Sequence, residues 1–351
     1  MFYTAIDFHK RYSVAYTTDA AGTRVKEARI DNSPEAFASY FRTLPETNRV
    51  VIEACWNWAW LHDVLEEIDS IDRVILANPG KTRIIADAQI KTDRLDAKAL
   101  CTLLRGDLIA EAHAPSRATR SKKHVLRQRV YWVRVRTQIR NRIHVILDRQ
   151  RTLDTPVCTD LFGQKGLTWL RELELPDPDG ALLKQSVQLQ DAIGAQIREL
   201  EARMKKEHEE DPSVQLLRTV PGFGPILSAV VATEIDGVER FNRADKLYAY
   251  AGLVPTTYAS GGHIHHGRLL PFCNRWLRWA FVEASWTAIA RSAYFGAIYQ
   301  RHRARGKKAN TAIMAVARRM CQISWTMLHE QRSYHKVPPT RTPSPVAPAI
   351  T

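Results

Sequence analysis

Four carboxylates in the first third of the chain are spaced so that they can share a cation. Asp7 closes the short run Thr4-Ala5-Ile6, and Glu53 directly follows the apolar run Val50-Val51-Ile52. Asp93 and Asp96 lie three residues apart in Lys91-Thr-Asp-Arg-Leu-Asp-Ala-Lys98, a spacing that puts both on one face of a helix. Carboxylates gathered closely repel one another, and a divalent cation relieves the repulsion. Hard oxygen donors with no His or Cys among them select Mg²⁺ or Mn²⁺, ions that orient and activate phosphate oxygens. The competing reading is local: Lys91, Arg94 and Lys98 flank the pair, and Asp7 simply ends a strand.

A second group stands near the other end. Ser260 precedes Gly261-Gly262, where little side-chain bulk blocks a phosphodiester from the hydroxyl, and Arg268, Arg275 and Arg278 follow as a source of positive charge. A serine needs a base, a metal or a positive surround to attack phosphorus; without one it is an ordinary loop residue. His263, His265 and His266 are read as phosphate contacts in preference to a zinc site. Val220-Pro-Gly-Phe-Gly-Pro225 has the form of a helix-hairpin-helix turn, with Gly222 and Gly224 admitting a phosphate to the start of the next helix. An ordinary turn between helices has the same form.

Those residues need elements to hold them. Tyr3 to Asp7, Ser13 to Thr17 and Arg24 to Ile30 read as an antiparallel meander. Ser33-Pro34 then starts a helix, Val50 to Ile52 is a buried strand, Trp58 to Ile68 a helix and Val74 to Ala77 another strand, which together predict a mixed sheet faced by helices. From Arg117 to Arg151 there are twelve Lys or Arg against Asp148 alone, with Val125, Val133, Ile139, Ile143 and Ile146 at helical intervals. The spacing predicts a long basic helix, and Arg127, Arg129, Arg134, Arg136, Arg140 and Arg142 are its candidate contacts to a nucleic-acid backbone. Leu182, Leu189, Ile193, Ile197, Leu200 and Met204 step by mostly four and three residues, a coiled-coil pattern that packs within the chain or against a second copy. A helical unit from Val214 to Glu330 carries Trp276 and Trp279 one turn apart, read as core, and the last 21 residues, with five prolines, read as a disordered tail.

Composition sets the class. The 351 residues carry 51 Lys and Arg against 37 Asp and Glu, a net charge of +14 that points to a polyanionic partner. No apolar run is long enough to span a membrane, the N-terminus does not read as a signal peptide, and the five cysteines form no CxxC pair; a reducing cytoplasm is the expected compartment.

The motifs together resemble the bridge-RNA-guided DEDD insertion-sequence transposases, a group that includes the Piv pilin-gene invertases. Ile6-Asp7-Phe8-His9-Lys10, Ile52-Glu53-Ala54 and Lys91 to Lys98 are similar to that family's RuvC-like domain. Val220 to Pro225, Ala249-Tyr-Ala-Gly-Leu-Val-Pro255, Ser260-Gly-Gly262, Gly267-Arg268 and Asn274-Arg-Trp-Leu-Arg278 are similar to its C-terminal transposase domain. The resemblance implies an RNase H-like domain over 1–112, a basic and coiled-coil region over 113–212, a mainly helical serine domain over 213–330 and a tail over 331–351. It implies Mg²⁺ at Asp7, Glu53, Asp93 and Asp96, Ser260 as the nucleophile of a phosphoserine link, donor and target DNA as substrates, and a structured bridge RNA as guide. It implies a homo-oligomer, a tetramer on DNA, with the helix from Leu189 to Met204 as the contact between subunits. A RuvC-like junction nuclease using the acids alone, and a nucleic-acid-binding protein without chemistry, are the alternatives.

Overall fold

A computed structural model describes residues 1–85, 93–150, 158–260 and 263–334, with the side chains of 83–85, 93–94, 257–260 and 263–266 outside the description. Two compact units result, Met1–Pro115 and Ser116–Thr351.

The first unit follows the meander and alternation expected. Strands β1 (Phe2–Phe8), β2 (Tyr12–Thr18) and β3 (Arg24–Asp31) are antiparallel neighbours; helix α1 (Pro34–Arg42) leads to β4 (Asn48–Glu53), and α2 (Trp58–Glu66) to β5 (Ile71–Ala77). Short α3 (Pro79–Ile85) and α4 (Asp93–Arg105) complete the unit. The strand order is β3-β2-β1-β4-β5, with β4 parallel to both β1 and β5. Local chemistry starts α1: the Ser33 hydroxyl accepts from the Ala36 N–H, and Pro34 occupies a position whose own N–H would have no helical partner.

Strand alternation sends side chains to two faces, and both are covered. Phe2, Ile6, Val50 and Ile52 pack with Phe37 and Phe41 of α1 and Leu61 and Leu65 of α2. On the opposite face Ala5, Val51, Ile75 and Ala77 meet Ala97, Leu100, Cys101 and Leu104 of α4. Alanines on both sides of that second interface let the helix lie close to the sheet.

The second unit begins with the basic helix, α5 (Arg117–Asp148), then α6 (Gln164–Glu172) and α7 (Asp179–His208). Helices α5 and α7 pair: Arg129 bonds Glu201, Arg140 bonds Gln190, and Arg149 bonds Asp179. As position rises along one helix it falls along the other, so the two form an antiparallel hairpin. Of the buried residues of α7, all but Ile193 (Leu183, Val187, Gln190, Gly194, Ile197, Met204 and His208) follow the four-three spacing of a coiled coil. The stripe thus packs within the chain, one of the two readings that its spacing left open. Ile193, Ile197 and Met204 are consumed inside the chain, and Leu189 is 50% exposed, off the seam.

Beyond the hairpin come α8 (Pro212–Arg218), α9 (Pro225–Ile235), a 3-10 turn (Val238–Arg240), α10 (Ala244–Tyr250), the strands β6 (Pro255–Ser260) and β7 (His263–Leu269), and α11 (Arg275–Arg291), α12 (Ala293–Ala304) and α13 (Ala309–Glu330). One hydrophobic cluster joins α8 to α13 with Val125 and Leu126 of α5 and Met204 of α7, so the apolar core runs across residue 212. Trp276 and Trp279 pack against this cluster with their rings edge to face, 6.2 Å apart, as the one-turn spacing predicts. Among the described residues no helix is long and apolar enough to cross a membrane. The tail from residue 335 onward lies outside the described residues.

Candidate functional site

In the first unit the site is built by strand register. Ile6 pairs with Ile52 across the parallel β1/β4 ladder, so Asp7 and Glu53, one residue on in each strand, come level at the carboxyl ends of neighbouring strands. Adjacent strands lie about 4.8 Å apart, and residues at one level share a face. That face belongs to Ala5 and Val51, the one that α4 covers.

The orientation of α4 follows from its far end. Cys101 Sγ donates to the Tyr3 carbonyl at 3.1 Å and lies 3.4 Å from the Thr18 hydroxyl, and Arg105 donates to the Ala20 carbonyl beyond the end of β2. Eight residues of helix from Cys101 back to Asp93 cover about 12 Å, and four residues of strand from Tyr3 to Asp7 cover about 13 Å. The first turn of α4, with Asp93 and Asp96, therefore reaches the end of the sheet that carries Asp7 and Glu53. Asp96 is exposed there, and the side chain of Asp93 lies outside the described residues.

His9 Nε2 stands 3.2 Å from an Asp7 carboxylate oxygen. Burial pushes the Cys55 thiol up from its ordinary value, and the charges of Glu53 and Asp7 push it further. Among the described residues, Asp7, Glu53 and Asp96 do not as a trio bring their ligand atoms within 4.8 Å of one another; His62, Asp63 and Glu66 on α2 do. The carboxylates at the sheet end offer hard oxygens, the donor class that a divalent cation takes. Sequence reasoning missed Trp56 beside it, 71% exposed and stacked on Phe8. An exposed indole next to the acids was signalled only by its neighbour Glu53.

In the second unit Ser260 ends β6, and its register partner across the β6/β7 hairpin is His263; both side chains lie outside the described residues, as do Gly261 and Gly262. Arg268 and Arg275 are exposed. Arg278 instead ties the chain together: its Nη2 donates to the Leu270 carbonyl at 2.5 Å and sits where a Cβ on Gly252 would be. The two glycines of the hairpin turn also part company. Gly222, at φ +101°, presses on the Ala284 carbonyl of α11, whereas Gly224 starts α9 facing open space.

The six arginines named on α5 divide in the same way. Arg129 and Arg140 bond across the hairpin to Glu201 and Gln190, and burial beside Arg140 and Arg129 pushes the Arg136 guanidinium down. Arg134 and Arg142 are exposed and make no ion pair among the described residues. Arg127, 44% exposed, bonds Glu234, which the sequence reading passed over. Glu234 is 3% exposed; Lys123 Nζ lies 3.3 Å from it, and Asn274, the cap of α11, donates to it at 2.9 Å. An acid three residues after the apolar run Ile226 to Val231 was the available signal.

Comparison with known sequences gives the class of protein. A profile described as a DEDD transposase matches residues 4–151, and one described as the transposase IS116/IS110/IS902 family matches residues 214–300. The chain is 25% identical over 305 residues to a probable family 20 transposase of Pseudomonas aeruginosa, covering 84% of this chain and 88% of that protein. It is 23% identical over 297 residues to the transposase for insertion sequence element IS1328 of Yersinia enterocolitica, covering 82% and 85%. It is 32% identical over 143 residues to an uncharacterised 43.6 kDa protein of insertion element IS110 from Streptomyces coelicolor, covering 41% and 35%. These matches make this enzyme a DNA transposase. Within that class the two matching profiles, over residues 4–151 and 214–300, are those of the IS110/IS116/IS902 insertion-sequence transposases.

Proposed function

We propose that this transposase breaks and rejoins DNA with Asp7, Glu53, Asp93 and Asp96 holding one or two Mg²⁺ or Mn²⁺ ions and with Ser260 as the attacking group. The observation that carries the reading is the common level of Asp7 and Glu53 on adjacent parallel strands, with the first turn of α4 at the same end. When bound there, the ion supplies charge neutralisation and orientation of phosphate oxygens. Ser260 Oγ forms a bond to phosphorus while the bond from phosphorus to the departing sugar oxygen breaks; the serine proton passes to a base and the sugar oxygen takes one up. His263, level with Ser260 in the ladder, is the imidazole offered by the sequence for the first transfer. Exposed Arg268 and Arg275 favour the charge that develops on the phosphate.

In this reading the acids and the serine, which belong to different parts of the chain, come from different subunits of a tetramer. Target and donor choice belongs in this reading to a structured bridge RNA, whose phosphates and those of DNA meet Arg134 and Arg142 of α5 and the start of α9 at Gly224. A second reading, hydrolysis by metal-activated water at the acids alone, is favoured by the location of all four acids in one unit.

A recombination assay separates the two. Purified protein with the element's flanking noncoding RNA and labelled duplexes should give joined product and a protein–DNA adduct that survives denaturant. Ser260→Ala should lose both and keep DNA binding; Asp7→Asn and Glu53→Gln should lose joining. Continued cutting by Ser260→Ala without adduct would replace the serine reading by the hydrolytic one, and full activity of Asp7→Asn would remove the metal centre.

A further inference from the structure

The turn between α12 and α13 joins two observations that no site above uses. Residues 284–329 contain no acid, and within them Arg301, Arg303, Arg305, Lys307 and Lys308 fall in eight positions. All five are exposed, and among the described residues none makes an ion pair. Their backbone is fixed. The Gly306 N–H donates to the Arg303 carbonyl and the Lys307 N–H to the His302 carbonyl, with Gly306 at φ +75°, a paired bonding pattern that terminates α12 in one conformation. Arg303 Nη1 also donates to the Lys307 carbonyl across the turn.

Cations in the last turn of α12 are explained by the helix itself, because a carboxyl end attracts positive charge. Lys307 and Lys308 are not. They stand at the amino end of α13, a helix of 22 residues whose first turn holds no acid and whose cap position, Lys308, makes no side-chain bond to the exposed N–H groups. Positive charge there opposes the helix dipole, and an anion would relieve it.

We propose that the α12–α13 turn is a clamp for the phosphate backbone of duplex DNA, gripping without reading sequence. DNA is the polyanion this enzyme must hold, and the proposal does not depend on Ser260 or on a metal. Backbone contacts of this kind set affinity and its salt dependence and leave sequence preference alone.

The test uses the full chain and a 30-base-pair duplex of arbitrary sequence, with anisotropy titrations at several salt concentrations. Replacing Arg305, Lys307 and Lys308 together by Gln should lower the slope of log affinity against log salt by about two to three, at roughly 0.9 for each phosphate no longer neutralised. A single Lys308→Asp variant gains an N-cap and should melt about 2 °C or more higher without DNA while binding DNA more weakly. An unchanged slope in the triple variant overturns the proposal, as does a lower melting temperature in Lys308→Asp. A structured RNA of equal length is titrated in parallel; a drop in slope larger for RNA than for DNA assigns the turn to RNA and overturns it too.

Discussion

Glu234 accepts from an asparagine and faces two cations through one buried carboxylate, so it joins the basic helix α5 to the cap of α11. Removing one member of a buried ionic group leaves the others without compensation. Glu234→Gln should destabilise the second unit by about 3–5 kcal/mol, read by denaturant unfolding, whereas the double change Lys123→Met with Glu234→Leu should cost less than Glu234→Gln alone. A double variant at least as unstable as the single would show that the carboxylate serves packing and not the charges. At this scale the sequence was legible where a residue's role is set by its neighbours in the chain, as with Asp7 and Glu53 behind their apolar runs. Glu234, Lys123 and Asn274 are far apart in sequence, and only tertiary packing makes them one group.

Elements sort the two glycines of Val220 to Pro225 into different tasks. An alanine Cβ at Gly222 would stand 2.2 Å from the Ala284 carbonyl in a left-handed backbone conformation, and at Gly224 it would meet nothing within 4 Å. Gly222→Ala is expected to cost about 2 kcal/mol or more, with Gly224→Ala near neutral in stability; a calorimetric melt of the two variants checks the contrast. The start of α8 is pH-sensitive for a separate reason. The His208 imidazole, 3.9 Å away, and the N–H groups of Val214 and Ser213 hold the Asp211 carboxyl below its ordinary 3.8 against the opposing effect of burial. A depressed folded pKa stabilises the fold above about pH 4 and loses that contribution as pH falls from there through the lowered value. Asp211→Asn should flatten the acid limb of a melting temperature against pH profile below about pH 4 and leave it parallel to the wild type above. Strand and helix limits were legible because period and capping residues are local signals: Ser33-Pro34 starts α1, and Trp58 starts α2. The partner of α7 was not, since an apolar stripe states that something covers it without stating what.

At the scale of the molecule, and among the described residues, the hydrophobic clusters that hold the sheet draw only on residues up to Ala114, and those of the helical unit only on residues from Val125 onward. A fragment of residues 1–115 is therefore expected to unfold cooperatively by itself, with a sigmoidal circular-dichroism melt; a gradual, uncooperative loss of signal would mean that the sheet needs the rest of the chain. The net charge of +14 announced a polyanion, but charge counts alone could not tell which arginines stay available, because folding ties Arg129, Arg140 and Arg149 to partners within the hairpin.

That hairpin also limits how this enzyme can change over evolutionary time. With Arg129, Arg140 and Arg149 locked opposite Glu201, Gln190 and Asp179, lengthening one arm alone by a few residues would rotate its apolar seam away from the other and set guanidinium groups against leucine and valine. Tolerated insertions are those that arrive in both arms at once and in steps of seven, each pair extending the roughly 45 Å stalk by about 10 Å. Descendants of this sequence would then differ in reach by whole increments, and a relative with an odd deletion in one arm would have had to rebuild the facing stripe.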